Sequence, residues 1–146
     1  MHESVRSASI DDCGDVHLLE AEARAALVGQ RGGPQFLAEQ PAVGDWVALL
    51  ARSDRAVLVG TLDDIVFGYL ELAMRNGTAV VRQVYVHPGA RELGLGDALL
   101  GLALDRARAS GCSVLEGTAL PGDRDTKNLY ERAGITARKL TVSKPL

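Results

Sequence analysis

The sequence predicts an α/β domain built on a mixed, mostly antiparallel sheet, and two observations carry that prediction. Three β-type runs follow one another between Arg55 and His87 with only short turns between them, as in antiparallel hairpins. A further strand-like run follows a glycine-containing loop and the amphipathic helical run Gly96 to Ser110. That connection is a β-α-β crossover, which is right-handed in nearly all folds. With 146 residues and 47% hydrophobic content, residues 1–146 are expected to form a single domain large enough to bury a core.

Along the chain, Ser4 to Ile10 reads as a short strand, with Val5, Ala8 and Ile10 among small polar residues. Asp11 and Asp12 can cap a helix, and Val16, Leu19, Ala23, Ala26 and Leu27 recur at helical spacing, which carries that helix to about Val28. Gly29 to Pro34 breaks it. Phe36-Leu37 and the run Trp46 to Leu50 suggest short helical pieces around Pro41 and Gly44. Arg55 to Leu62 is a strand, Asp63-Asp64 a turn, and Ile65 to Met74 the returning strand. Asn76-Gly77 is a hairpin turn signal, and the next strand runs from Thr78 to His87, where Pro88 stops it. In the helix Gly96 to Ser110, Leu95, Ala98, Leu99, Leu102 and Ala103 form one stripe. Cys112 to Leu120 is a strand, Asp123 to Ala133 a helix ending at Gly134, and Ile135 to Val142 one or two closing strands.

Several function classes are disfavoured. The net charge is −3 with 24% charged residues, and no basic run or aromatic-basic stripe points to nucleic acid. No apolar run approaches the ~20 residues of a membrane span, and the N-terminus has no apolar signal core. The two cysteines, Cys13 and Cys112, make neither metal-ligand spacing nor a disulfide framework. A cytoplasmic protein without a metal is expected.

The most informative stretch is Arg91-Glu92-Leu93-Gly94-Leu95-Gly96, between a strand and a helix. Glycines there let backbone approach a ligand closely. Converging N–H groups and the positive end of the helix then favour an anion such as a pyrophosphate. Gly96 is followed by Asp97-Ala98, not Lys-Ser/Thr, so the loop is no P-loop. Leu99 stands where a dinucleotide fingerprint requires a third small residue.

Arg-x-x-Gly-x-Gly after a strand ending Val-His-Pro resembles motif A of the GNAT superfamily, the acyl-CoA-dependent N-acyltransferases. A second match lies about 30 residues on, as one strand and two short loops would require. Asp123 to Ile135, with Leu129-Tyr130 and Gly134, is similar to the family's C-terminal helix, Asn-x-x-Ala-x-x-Phe-Tyr-x-x-x-Gly-Phe. The resemblance covers about Gly60 to Leu140 clearly, and the first third only in pattern. It implies the GNAT fold: a mixed, mostly antiparallel sheet of six to seven strands, splayed between strands 4 and 5 and flanked by about four helices.

The resemblance also implies roles for particular residues. Acetyl-CoA would be the acyl donor, bound by the stretch Arg91 to Ala98: the amides of Leu93, Gly94, Leu95, Gly96, Asp97 and Ala98 would hold its pyrophosphate, Arg91 would hold the loop or a phosphate, and Glu92 would lie beside them. Its pantetheine would lie against Val84, Tyr85 and Val86 in the splay, with Asp123 and Asn128 nearby. A fourth-strand amide would hold the thioester oxyanion. Tyr130 would protonate the leaving thiolate. Many members carry a glutamate base on the fourth strand, but here Arg82 and Gln83 occupy those positions. Glu71 on the preceding strand is the substitute, ahead of Glu116, Glu20 and Glu22. His87 and Trp46 read more simply as structural.

The expected activity is direct acetyl transfer to an amine, that of a small molecule. A protein N-terminal or lysine amine is the alternative acceptor, and a non-catalytic CoA-binding module is the alternative of another class. A homodimer paired through the closing segment Thr136 to Val142 is also expected by analogy.

Overall fold

The computed structural model describes residues 2–146. Its sheet runs in the order β1 (Glu3–Ser7), β2 (Arg55–Leu62), β3 (Ile65–Arg75), β4 (Thr78–Val86) and β5 (Val114–Gly117). All neighbours are antiparallel except β4 and β5, which are parallel. Both hairpins turn on two residues with positive φ, Asp63-Asp64 (48° and 68°) and Asn76-Gly77 (53° and 79°). Such turns match the twist of the flanking strands, and Asp and Asn tolerate the left-handed region better than most residues.

Alternation along the strands builds two cores. Leu58, Leu70, Leu72 and Val81 face α4 (Leu95–Ala109) and α5 (Arg124–Arg132). Val57, Val59 and Tyr69 face the other way, against α1 (Cys13–Leu27) and α3 (Trp46–Leu50). Trp46 packs edge-on to Tyr69 at 5.7 Å as a core anchor. A short α2 (Gly33–Glu39) lies between α1 and α3 in sequence. The buried stripe of α4 is Leu95, Leu99, Leu100, Ala103 and Ala107. Ala98 is exposed and falls outside it.

The sheet has five strands, where six to seven were expected. Residues Ile135 to Val142 form no strand, and Leu140 and Val142 are 87% and 91% exposed. The apolar residues explain this. Ile135 and Ala137 share one strand parity while Leu140 and Val142 have the other, so no single face of an extended segment would be apolar. The edge strand expected to pair two copies is therefore not formed. No helix among the described residues is long and apolar enough to cross a membrane.

Candidate active site

The centre of the site is a defect in β4. Glu71 pairs with Gln83 and Leu72 with Val81, so Arg82 is an extra residue on β4, a β-bulge. The β4–β5 ladder runs only from Thr78↔Val114 to Val81↔Gly117. Beyond the bulge, β4 keeps its partner β3 and loses β5, which is the expected splay. The His87 amide donates to the Phe67 carbonyl on the β3 side at 2.8 Å. By strand alternation the amides of Val84 and Val86 face the open edge, and that of Tyr85 faces β3.

A cleft of about 890 Å³ opens along this edge, lined by Val84, Tyr85, Val86, Arg91, Glu92, Leu93, Gly96, Asp123, Asn128 and Tyr130 among others. At one end stands the N-terminus of α4. Gly94 adopts φ 78°, a conformation that favours glycine, and turns a 3-10 segment, Pro88–Leu93, into the helix. The Ala98 amide donates to the Gly94 carbonyl at 3.0 Å. It is spent in the helix, and the expectation that it faces an anion is corrected. The amides of Leu95, Gly96 and Asp97 are those a first helical turn leaves unpaired.

Arg91 holds this loop. Its Nε donates to the Val86 carbonyl at 2.9 Å, and its guanidinium lies 5.4 Å from the Tyr85 ring centre. The Asp97 carboxylate is drawn aside by Arg132 at 2.9 Å. The Leu95 side chain is in the core. An added Cβ at Gly96 would make only ordinary contact with Leu129, so the fold itself does not demand glycine there.

Tyr130 closes the cleft from α5 and is buried. Burial, and secondarily the charge of Asp123, push its phenol well above the usual range, so it stays protonated. Its hydroxyl packs on the backbone of Gly117 in β5, where a Cβ would come within 2.2 Å of it. Asp123 caps α5, accepting from the Thr126 amide at 3.1 Å and the Thr126 hydroxyl at 2.7 Å. Asn128 is exposed on the cleft wall.

A second, smaller pocket of about 320 Å³ joins the cleft at the bulge, the two sharing Arg24, Phe36, Arg82 and Gln83. Glu71 is on its floor, 2% exposed. Its Oε2 accepts from Arg55 at 2.7 Å and its Oε1 from the Gln83 amide at 3.0 Å. Gln83 also donates to Glu20 at 2.7 Å and accepts from Tyr69 at 2.6 Å. The Gln83 side chain, next to the bulge, is thus locked from three directions.

The acetyltransferase (GNAT) family model matches residues 20–135. The chain belongs to the GNAT acetyltransferase family. It is an N-acetyltransferase by that membership. No protein among the curated sequences matches it. Similar solved structures span essentially the whole chain. A Bacillus halodurans protein, BH1408, has a TM-score of 0.77 at 16% identity, covering 98% of this chain and 99% of that one. A transcriptional regulator from the same organism gives 0.71 at 19%, covering 99% and 100%. An aminoglycoside antibiotic 6'-N-acetyltransferase from Acinetobacter baumannii gives 0.68 at 18%, covering 99% of each. At these identities the likeness is one of fold.

In this GNAT chain the cleft lining holds Val84, Tyr85, Val86, Arg91, Glu92, Leu93, Gly96, Asp123, Asn128 and Tyr130 but not Gly94, Leu95, Asp97 or Ala98, while Glu71 is on the floor of its side pocket. Glu22 lies elsewhere, its Oε2 bound by the Tyr85 hydroxyl at 2.6 Å and the His87 Nδ1 at 2.8 Å. The His87 Nδ1 is thus engaged with Glu22. Sequence reasoning missed Gly117, the Arg82 bulge and the arginines of the side pocket. Only Gly117 carried a signal, since glycine inside a strand marks close backbone approach.

Proposed function

We propose that the chain transfers the acetyl group of acetyl-CoA directly to the amine of a small molecule. The observation that carries this is the open edge of β4, with the amides of Val84 and Val86 unpaired on the β5 side and Tyr130 across the cleft. A pantetheine arm carries amides that can pair with such an edge as a strand would. The Leu95, Gly96 and Asp97 amides suit its pyrophosphate. A neighbouring structure bound to a bisubstrate analogue containing CoA supports the same donor. The aminoglycoside acetyltransferases among the neighbours act on small-molecule amines, which supports that acceptor class.

In this mechanism the amine nitrogen attacks the thioester carbon, and a freed β4 amide stabilises the oxyanion. The C–S bond breaks and the sulfur takes its proton from Tyr130. Glu71 receives the proton of the attacking amine. Each Glu71 oxygen accepts one hydrogen bond within the protein, which leaves lone pairs available. Calorimetric titration with acetyl-CoA, followed by an amine panel read by free thiol release, tests the proposal. Micromolar binding with turnover is expected. A folded protein that does not bind acetyl-CoA would refute it.

A further inference from the structure

The side pocket identifies a chemical feature of the acceptor, given that the chain acts as an acyltransferase there. Its lining contains four arginines, Arg24, Arg52, Arg55 and Arg82. Two are spent on the fold. Arg24 donates to the carbonyls of Gln40 (2.6 Å) and Leu37 (3.3 Å), and Arg52 makes a two-point pair with Asp54. The acids nearby are engaged as well. Asp45 caps α3 through the Ala48 amide, Glu20 holds the Val43 amide and Gln83, and Glu71 is matched by Arg55.

What remains is a surplus of donors. Arg82 makes no hydrogen bond among the described residues. Its nearest anion, the already paired Glu71, is 3.7 Å away. Arg55, by contrast, is committed to Glu71, and its Nε is buried away from the pocket. A guanidinium presents donors in a planar fork that suits a carboxylate. The remaining walls include Phe36, Pro41, Val43 and Leu49.

We infer that the acceptor is an amine that also carries a carboxylate, in the manner of an amino acid with an apolar side chain. Its carboxylate rests on the Arg82 guanidinium. Its amine points past Glu71 toward the bulge, where the pocket meets the cleft. An acceptor with several ammonium groups would set like charge against Arg82.

The test uses product-like ligands, so that it does not depend on turnover. N-acetyl-leucine and N-acetyl-phenylalanine, with their carboxamides, are titrated into wild-type and Arg82→Met protein saturated with CoA. The acids are expected to bind wild type roughly tenfold to a hundredfold more tightly than the amides, the worth of one charge-assisted hydrogen bond. Arg82→Met should erase that difference while leaving CoA affinity unchanged. Equal binding of acid and amide, binding of neither, or a preference that survives Arg82→Met would overturn the inference. Failure to bind CoA at all would instead refute the acyltransferase mechanism, and the acid-against-amide comparison in its absence would still decide the carboxylate site.

Discussion

The cleft and the side pocket meet at Arg82, yet they are built by opposite means. The cleft is made of backbone: an unpaired strand edge, a helix N-terminus, and glycines where chain must approach chain. The pocket is made of side chains brought from α1, α2, α3 and the loop before it, β2, β3 and β4. Backbone groups recognise what every acyl-CoA shares. Side chains recognise what distinguishes one acceptor from another. Damage to the cleft should therefore abolish chemistry for every acceptor, and damage to the pocket away from Glu71 should change only which acceptor is used.

The largest expected effect is that of Tyr130→Phe. Loss of the proton donor should lower kcat about 10²- to 10⁴-fold, with acetyl-CoA affinity retained in calorimetry. An unchanged kcat would remove Tyr130 from the chemistry. Gly117→Ala sharpens the point, because its methyl group would collide with the Tyr130 hydroxyl. A misplacement of that size should cost about 10²-fold in kcat. The methyl group also meets the Tyr130 ring, but both changes cost rate through the same proton donor, so the double variant should have a kcat no lower than Tyr130→Phe alone. Additive losses would show that Gly117 serves some other purpose.

Gly94→Ala forces a side chain into φ 78°. It should destabilise the protein by about 1–2 kcal/mol, read as a lower thermal midpoint, and weaken acetyl-CoA without altering acceptor preference. The smallest effect belongs to the Glu22, Tyr85 and His87 cluster, of which only Tyr85 lines the cleft. Hydrogen bonds from Tyr85 and then His87 hold Glu22 below its ordinary 4.5. Its stabilisation is present above that value and lost as pH falls through the lowered one. Burial, then the Glu22 carboxylate, push Tyr85 up to about 12. Its contribution is present below 10 and lost as pH rises toward 12. Denaturation midpoints for wild type and Glu22→Gln should differ on a plateau between these limits and converge at the acid end.

The same division governs what the sequence made legible. Turn dipeptides and strand periodicity are local, so β2 matches its predicted bounds and β3 and β4 end within a residue of theirs. Arg91, Gly94 and Tyr130 were readable because a backbone cradle and a helix face have fixed spacings. The bulge at Arg82 has no marker, since any residue can be the extra one. Arg55, Glu71 and Arg82 meet only through strand register, and no spacing in the chain announces that. The closing strand failed because its apolar residues change parity, a conflict that the individual residues concealed.

The short β4–β5 ladder has a mechanical consequence. Only four residue pairs join β5 to the rest of the sheet, so the free protein is a structure with one seam left unstitched. A bound pantetheine would run along that seam and supply the pairing that β5 does not. Fold stability would then track the supply of acyl donor. At a donor concentration one hundred times its Kd, the gain is about 2.7 kcal/mol, enough to make the loaded enzyme outlast the empty one wherever unfolding decides a protein's lifetime.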